Sequence, residues 1–295
     1  MNLAGLTTRT TVSFDPSLTQ DQFMLNDEPT IGEALERVSK FLDRVRQLGC
    51  ISTFARVESH NNFPMAAGIA SSASGFAALS LAATRAAGLM LNQKDLSRLA
   101  RTGSGSACRS IPSGFVEWQA GHEDADSYAY SIASPSHWDL VDCITLVSQM
   151  EKPVSSSVGH SLAPTSLLQP ARVADAPRRL SLCREAILER DFDQFAEVVE
   201  LDSNLMHAVM ITSIPPLLYW QPATIEIMHA VQSWRKEGIP ACYTIDAGPN
   251  VHVLCLGEQV ERVIERLHRL PGVIQVLTAN PGGPASLEDA PNMDK

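Results

Sequence analysis

Three stretches of this chain gather the side chains and backbone that chemistry on charged molecules requires. The first, "NNFPMAAGIASSASGFAALS" at 61–80, crowds Gly, Ala and Ser between a proline and a phenylalanine. Small side chains add little burial energy, so the crowding suggests a place where something must approach the backbone closely. After Gly68 no lysine stands where a Walker A loop needs one. What remains is a small-residue loop entering a helix, whose free N–H groups and positive dipole end suit an anion. Ser71 and Ser72 add hydroxyls that can reach phosphate oxygens or Mg²⁺. A tight helix–helix contact is the alternative reading.

The second stretch, "RTGSGSACRS" at 101–110, offers Ser104, Ser106 and Ser110 with Gly103, Gly105 and Arg109. Cys108 takes the place of the third glycine of a dinucleotide fingerprint. Arg109 can fork onto a carboxylate or a phosphate; otherwise it is a surface residue in an ion pair beside a Gly-rich turn. Two such loops suggest two charged ligands. In the third stretch, "CYTIDAGPNVHVL" at 242–254, an apolar strand delivers Asp246 into a turn sequence. Asp246 is either a turn-capping residue or a general base in a cleft, tuned by burial and neighbouring cations.

These stretches must be positioned by the rest of the 295 residues, 44% hydrophobic and 19% charged, enough for one large domain or two ordinary ones. A net charge of −10 argues against broad nucleic-acid binding. Six scattered cysteines without a C-x-x-C pair read as buried thiols, and eight histidines without H-E-x-x-H give no metal site. No apolar run reaches membrane-spanning length and the start is not a signal peptide, so a cytoplasmic location is expected.

"TRTTVSF" and "QFMLND" predict strands, and "IGEALERVSKFLDRVRQLG" predicts a helix burying Ile31, Leu35, Val38, Phe41, Leu42 and Val45 with Gly49 as its C-cap. "ISTFARVESH" predicts a strand leading to the first loop, and a helix runs from about Ser72 to Ala87. A short helix in "NQKDLSRLA" precedes the second loop, which is expected to open another helix, and "GFVEWQAG" follows as a strand. "HEDADSYAYSIASPSHWD" is polar and turn-rich, its acidic run read as a solvated loop. A boundary is expected near residue 137, giving domains 1–136 and 137–295. The second half shows one long helical stretch from Pro177 to Met210, another in "QPATIEIMHAVQSWRKEG", and strands in "ACYTIDAG", "VHVLCLG" and "VIQVLTA". His207 reads as a packed or surface residue, and Met206, Met210 and Met228 as core. Interleaved helices and strands indicate α+β or α/β two-layer domains, with a frayed tail from about 280.

The three stretches resemble the mevalonate diphosphate decarboxylases of the GHMP kinase superfamily, supported by "VSSSVGH" at 154–160, "DSNLMHA" at 202–208 and "PPLLYW" at 215–220. The resemblance implies two α+β domains, an N-terminal half like ribosomal protein S5 domain 2 and a ferredoxin-like C-terminal half, with the active site in the cleft between them. It implies ATP-dependent decarboxylation of mevalonate 5-diphosphate to isopentenyl diphosphate, with ATP and Mg²⁺, as a homodimer. Gly68, Ala70, Ser71 and Ser72 would then cradle ATP phosphates, Ser72 also serving Mg²⁺ or the transferring group. Ser104, Gly105, Ser106, Ala107, Cys108 and Arg109 would line the substrate, joined by Arg37 and Ser157, with Arg109 facing its carboxylate and Asp246 taking the C3 hydroxyl proton. Relatives carry Lys-Tyr-Trp-Gly-Lys on an earlier strand with no counterpart here, so the chain is expected to be short at its start. His160 stands where relatives commonly have Met. The alternatives are phosphomevalonate decarboxylation, a kinase that stops at phosphorylation, and an inactive truncated paralogue.

Overall fold

The computed structural model describes residues 1–63, 71–150, 154 and 156–288. The chain divides into two compact units, the first built from 1–63, 71–135 and 282–288, the second from 136–150, 154 and 156–281.

In the first unit, β1 (Thr8–Phe14), β2 (Gln22–Leu25), β3 (Glu28–Pro29) and β4 (Ala55–Asn61) form a sheet of order β1-β4-β2-β3, its β2–β4 pair parallel. Helix α1 (Glu33–Gly49) packs Val38, Phe41, Leu42 and Val45 into the core. Ile31 lies before its first turn and is 82% exposed, against expectation, because the helical register starts only at Glu33. The C-cap is Cys50 in left-handed conformation, one residue beyond the expected Gly49. A buried two-pronged ion pair, Arg46 Nη1–Asp21 Oδ1 at 2.9 Å and Nη2–Oδ2 at 3.0 Å, ties α1 to the sheet, where Asp21 also accepts from the Ala55 amide at 2.8 Å.

Helix α2 (Ser71–Ala86) lies on β1 and buries Phe76, Ala77, Ala83 and Thr84. Helix α3 (Gln93–Gly103), capped by the Asn92 side chain, leads through Ser104 into a 3-10 segment, Gly105–Ser110. The hairpin β5 (Phe115–Gln119) and β6 (Tyr128–Ala133) completes the unit. Strand β6 falls in the stretch read as turn-rich; Tyr128, Tyr130 and Ile132 supply the alternation that the surrounding acids and serines obscure.

The second unit runs β7 (Leu140–Leu146), α4 (Ser156–Leu162), α5 (Gln169–Glu189), α6 (Phe192–Ile211), α7 (Pro222–Lys236), β8 (Ala241–Thr244), β9 (Val251–Leu256), α8 (Val260–His268) and β10 (Gln275–Ala279). All pairings in its sheet are antiparallel and the order is β10-β7-β9-β8, the ferredoxin-like arrangement. Helices α5 and α6, expected as one stretch, are separated where Arg190 turns left-handed and Asp191 caps α6. Sequence reading passed over α8. Among the described residues, no helix is long and apolar enough to cross a membrane.

The tail does not fray at 280: Gly282 donates to Asn2 O at 2.8 Å and accepts from the Gly114 amide at 2.9 Å, and Ala285 donates to Ile111 O at 3.1 Å. Four cysteines are buried as expected, but Cys50 is exposed and Cys183 half-buried.

Candidate functional site

Gly68 and Ala70 lie outside the described residues, which resume at Ser71, the first residue of α2. The opening turn of α2 is tied to the sheet by Thr8 Oγ1 donating to Ser74 Oγ at 2.7 Å, and by Ser74 Oγ donating to Ser71 O at 3.2 Å. The unpaired N–H groups of a helix start therefore stand on a fixed base. Ser72 is exposed, and its Oγ is 3.3 Å from Ser104 Oγ. Hydroxyls from the first two sequence stretches thus meet in one unit.

The second stretch was expected to be a loop opening a helix. Instead one extended residue, Ser104, joins two helical segments, because Gly103 still belongs to α3. Gly103 presses on the ring of Phe76: a methyl there would overlap Cδ1 and come within 2.7 Å of Cε1 and Cγ. The Gly103 carbonyl accepts from Arg37 Nη2 at 3.3 Å, and the Arg37 guanidinium lies 5.2 Å over the Phe76 ring, a cation–π contact. Arg37, α2 and the second stretch are therefore one cluster, with the glycine as its hinge of contact.

The expected lining residues separate by orientation. Gly105 and Arg109 are exposed and Ser104 and Ser106 half-buried, while Ala107 and Cys108 are wholly buried. Their side chains face the unit's interior, so only backbone is left to them for substrate. The Cys108 thiol bonds Gly105 O at 3.1 Å, and burial pushes it up to about 11, so it stays a thiol. Arg109 has no ion pair among the described residues, contrary to the bland reading of it. The acidic run read as solvated does structural work: Asp124 pairs with Arg98 at 2.6 Å and with Arg101, bracing α3 from outside.

In the second unit, β8 ends at Thr244 and Ile245 is buried, but Asp246 is exposed. Beyond it the turn is pinned: Thr224 Oγ1 donates to Pro249 O at 2.6 Å, and Asn250 Oδ1 accepts from the Val147 and Ser148 amides at 2.8 and 3.1 Å. The cation near Asp246 within its unit is one that sequence reading missed. His252, on β9, bonds Asp142 Oδ2 on β7 through Nδ1 at 2.8 Å. Burial lowers its pKa, but the charge and hydrogen bond of Asp142, with a contribution from Asp246, raise it to about 9. Only strand register brings Asp142 and His252 together, so no local motif announces them. Ser157 falls in α4, and its side chain lies outside the described residues.

No three His, Cys, Asp or Glu side chains converge to hold a metal among the described residues. The donor set present near Ser72 is hydroxyl, which fits a Mg²⁺ taking most of its ligands from phosphate oxygens rather than from a protein cage.

Comparison with known proteins bears on both units. The diphosphomevalonate decarboxylase-like N-terminal domain matches residues 1–129, and the mevalonate 5-diphosphate decarboxylase C-terminal domain matches 143–283. The diphosphomevalonate decarboxylase of Candida albicans is 37% identical over 279 residues, 90% of this chain and 77% of its own length. The phosphomevalonate decarboxylase of Haloferax volcanii is 33% identical over 284 residues, 96% of this chain and 86% of its own. The crystal structure of mevalonate diphosphate decarboxylase from Staphylococcus aureus superimposes with a TM-score of 0.91 at 38% identity, covering 96% of this chain and 86% of that one. Another solved structure, 39% identical with a TM-score of 0.87 over 95% of this chain and 86% of its own, is a complex with MVAPP, AMPPCP and magnesium.

Proposed function

The chain belongs to the diphosphomevalonate decarboxylase family, and on that premise we propose that it decarboxylates mevalonate 5-diphosphate at the expense of ATP, releasing isopentenyl diphosphate, ADP, phosphate and CO₂. The observation that carries the reading is the meeting of Ser72 and Ser104 at the start of α2, with Arg37 holding Gly103 beside them. A tertiary alcohol is a poor leaving group, so it is first phosphorylated. Asp246 accepts the hydroxyl proton as the oxygen takes the γ-phosphoryl group, and ADP leaves. Phosphate then departs from C3, the C1–C2 bond breaks, and its electrons form the new double bond as CO₂ is released. Mg²⁺ supplies charge neutralisation on the phosphates.

The remaining roles divide by position. Ser71 and Ser72, with Gly68 and Ala70, address the ATP phosphates. Arg37, Ser104, Gly105, Ser106 and Arg109, with Ser157 and the backbone of Ala107 and Cys108, address the substrate. Arg109, without an ion pair among the described residues, forks onto the carboxylate. Asp246, at the end of β8, acts first as base and then as counter-charge to the cationic centre. A cytoplasmic location accords with the six free thiols.

The test measures ADP, phosphate and CO₂ together. Asp246→Asn is expected to lower all three by roughly 10²–10⁴-fold, the usual worth of a positioned base; undiminished ADP release in that variant would refute the assignment. A second reading, acting on the 5-phosphate, is favoured by the extent of the Haloferax volcanii match. Assaying both substrates side by side decides between them, and a stable phosphorylated product without CO₂ would mark a kinase instead.

A further inference from the structure

Strand β8 is the edge of its sheet, yet its open edge is not left to water. The peptide groups of residues 241, 243 and 245 point away from β9, and each is met by a side chain. Arg235 Nη1 donates to Ala241 O at 2.7 Å, Glu200 Oε1 accepts from Tyr243 N at 3.4 Å, and Ser203 Oγ accepts from Ile245 N at 3.0 Å. Ser203 Oγ also lies 3.4 Å from Ile245 O, to which His207 Nε2 donates at 3.1 Å. Glu200, Ser203 and His207 recur at i, i+3 and i+7 on α6, one buried polar stripe facing one strand edge. Covering an edge in this way is ordinary strand hygiene. What is not ordinary is where the stripe ends. Ile245 lies beyond the last residue paired to β9, and the next residue is Asp246.

We propose that Ser203 and His207 are positioning residues for Asp246, clamping both backbone groups of Ile245 so that the acid leaves the sheet edge in one fixed direction. The proposal rests on the reading of Asp246 as the base. The clamp has the rigidity this needs. The His207 ring is wholly buried, 4.9 Å from the Trp220 ring and edge-on to Tyr219 at 6.1 Å. Because Ile245 O can only accept, Nε2 carries the proton; burial holds the pKa down to about 4, so this neutral tautomer persists through the working range. On its far side the turn is held at Pro249 and Asn250. Asp246 is therefore the exposed residue between two anchored backbones, and the histidine grips it through a peptide rather than through its carboxylate.

The loss expected follows from geometry. Releasing one side of the clamp removes a single hydrogen bond, but a displacement approaching 1 Å at a reacting group costs up to roughly 10²-fold in rate. Ser203→Ala and His207→Leu are expected to lower kcat roughly 10- to 100-fold, with KM for ATP and for mevalonate 5-diphosphate held within about twofold. His207→Gln, whose amide can place an N–H near the Nε2 position, is expected to recover most of kcat. Arg235→Met removes a cap four residues upstream on the same edge and serves as the structural control: it should lower melting temperature without lowering kcat in the folded protein. Amide exchange provides a readout independent of turnover. The Ile245 N–H should exchange at least about tenfold faster in Ser203→Ala than in wild type, and ¹⁵N shifts should show Nε2 protonated from pH 5.5 to 8. Full kcat in His207→Leu, or unchanged Ile245 exchange in Ser203→Ala, overturns the clamp. Full activity in Asp246→Asn overturns the base while the exchange result still decides the clamp. If His207→Leu does not fold, the Gln variant and wild-type exchange carry the test.

Discussion

Substituting Gly103 by Ala probes how closely the second sequence stretch must sit against α2. The added methyl would overlap Phe76 Cδ1 and lie within 2.7 Å of two further ring atoms. The ring cannot simply turn aside, since it is buried, packed edge-on to Phe41 at 5.6 Å, and covered by Arg37 at 5.2 Å. Forcing one methyl into such a contact costs about 1–3 kcal/mol. At about 3 °C per kcal/mol for a unit of this size, melting of the first unit should fall by roughly 3–9 °C. The functional cost comes by a different route. Moving Phe76 shifts the Arg37 guanidinium and the Gly103 carbonyl it holds, and with them the spacing of Ser104 from Ser72. A loss of about 1 kcal/mol at that contact corresponds to a roughly fivefold rise in KM for mevalonate 5-diphosphate. Calorimetry and initial-rate kinetics on the variant check both numbers. Phe76→Leu supplies the missing space, so the double variant should be less destabilised than the sum of the singles by about 1 kcal/mol or more. If Gly103→Ala melts with wild type and keeps its KM, the contact is slack and the argument for a rigid joint between α2 and α3 fails.

Two other measurements address the second unit. Arg235 grips the buried Glu200 with both prongs, at 2.7 and 2.9 Å. Arg235→Met strands that carboxylate and should cost about 3–5 kcal/mol by denaturant unfolding, much of it recovered when Glu200→Leu is added. The His252–Asp142 pair links stability to pH: folded His252 keeps its proton to about 9 against 6.5 ordinarily. Its contribution is therefore fully present below pH 6.5 and lost as pH rises through 9, at up to about 1.4 kcal/mol per pH unit. Unfolding free energies from pH 6 to 10 should show this decline, and His252→Gln with Asp142→Asn should flatten it.

Much of this was legible from periodicity. Val38, Phe41, Leu42 and Val45 announced α1, and the Thr/Val alternation announced β1, because each pattern is a local property of an element that buries one face. Legibility stopped where a decision was made by distant partners. Ile31 continues the helical spacing but precedes the register at Glu33, and Cys50 accepted the left-handed cap that glycine would ordinarily take. The three chemical stretches were visible as residue types. Their joints were not: Gly103 against Phe76, Ser203 and His207 around Ile245, and Asp142 beside His252 are each set by packing of elements far apart in sequence.

Gly114 adopts a positive φ of 71°, and a side chain there would crowd the backbone at Pro135, where the chain departs for the second unit. Its amide meets Gly282, where the chain comes back. Among the described residues, outbound and inbound segments thus pass through one doorway, and the ferredoxin-like unit is a guest spliced in between Pro135 and Gly282 of its host. Such a guest can be lifted out, permuted or exchanged without cutting the host's sheet. By the same token, a stop codon placed just after the guest would harm the host, which would lose the 282–288 strap that closes over Asn2 and Ile111.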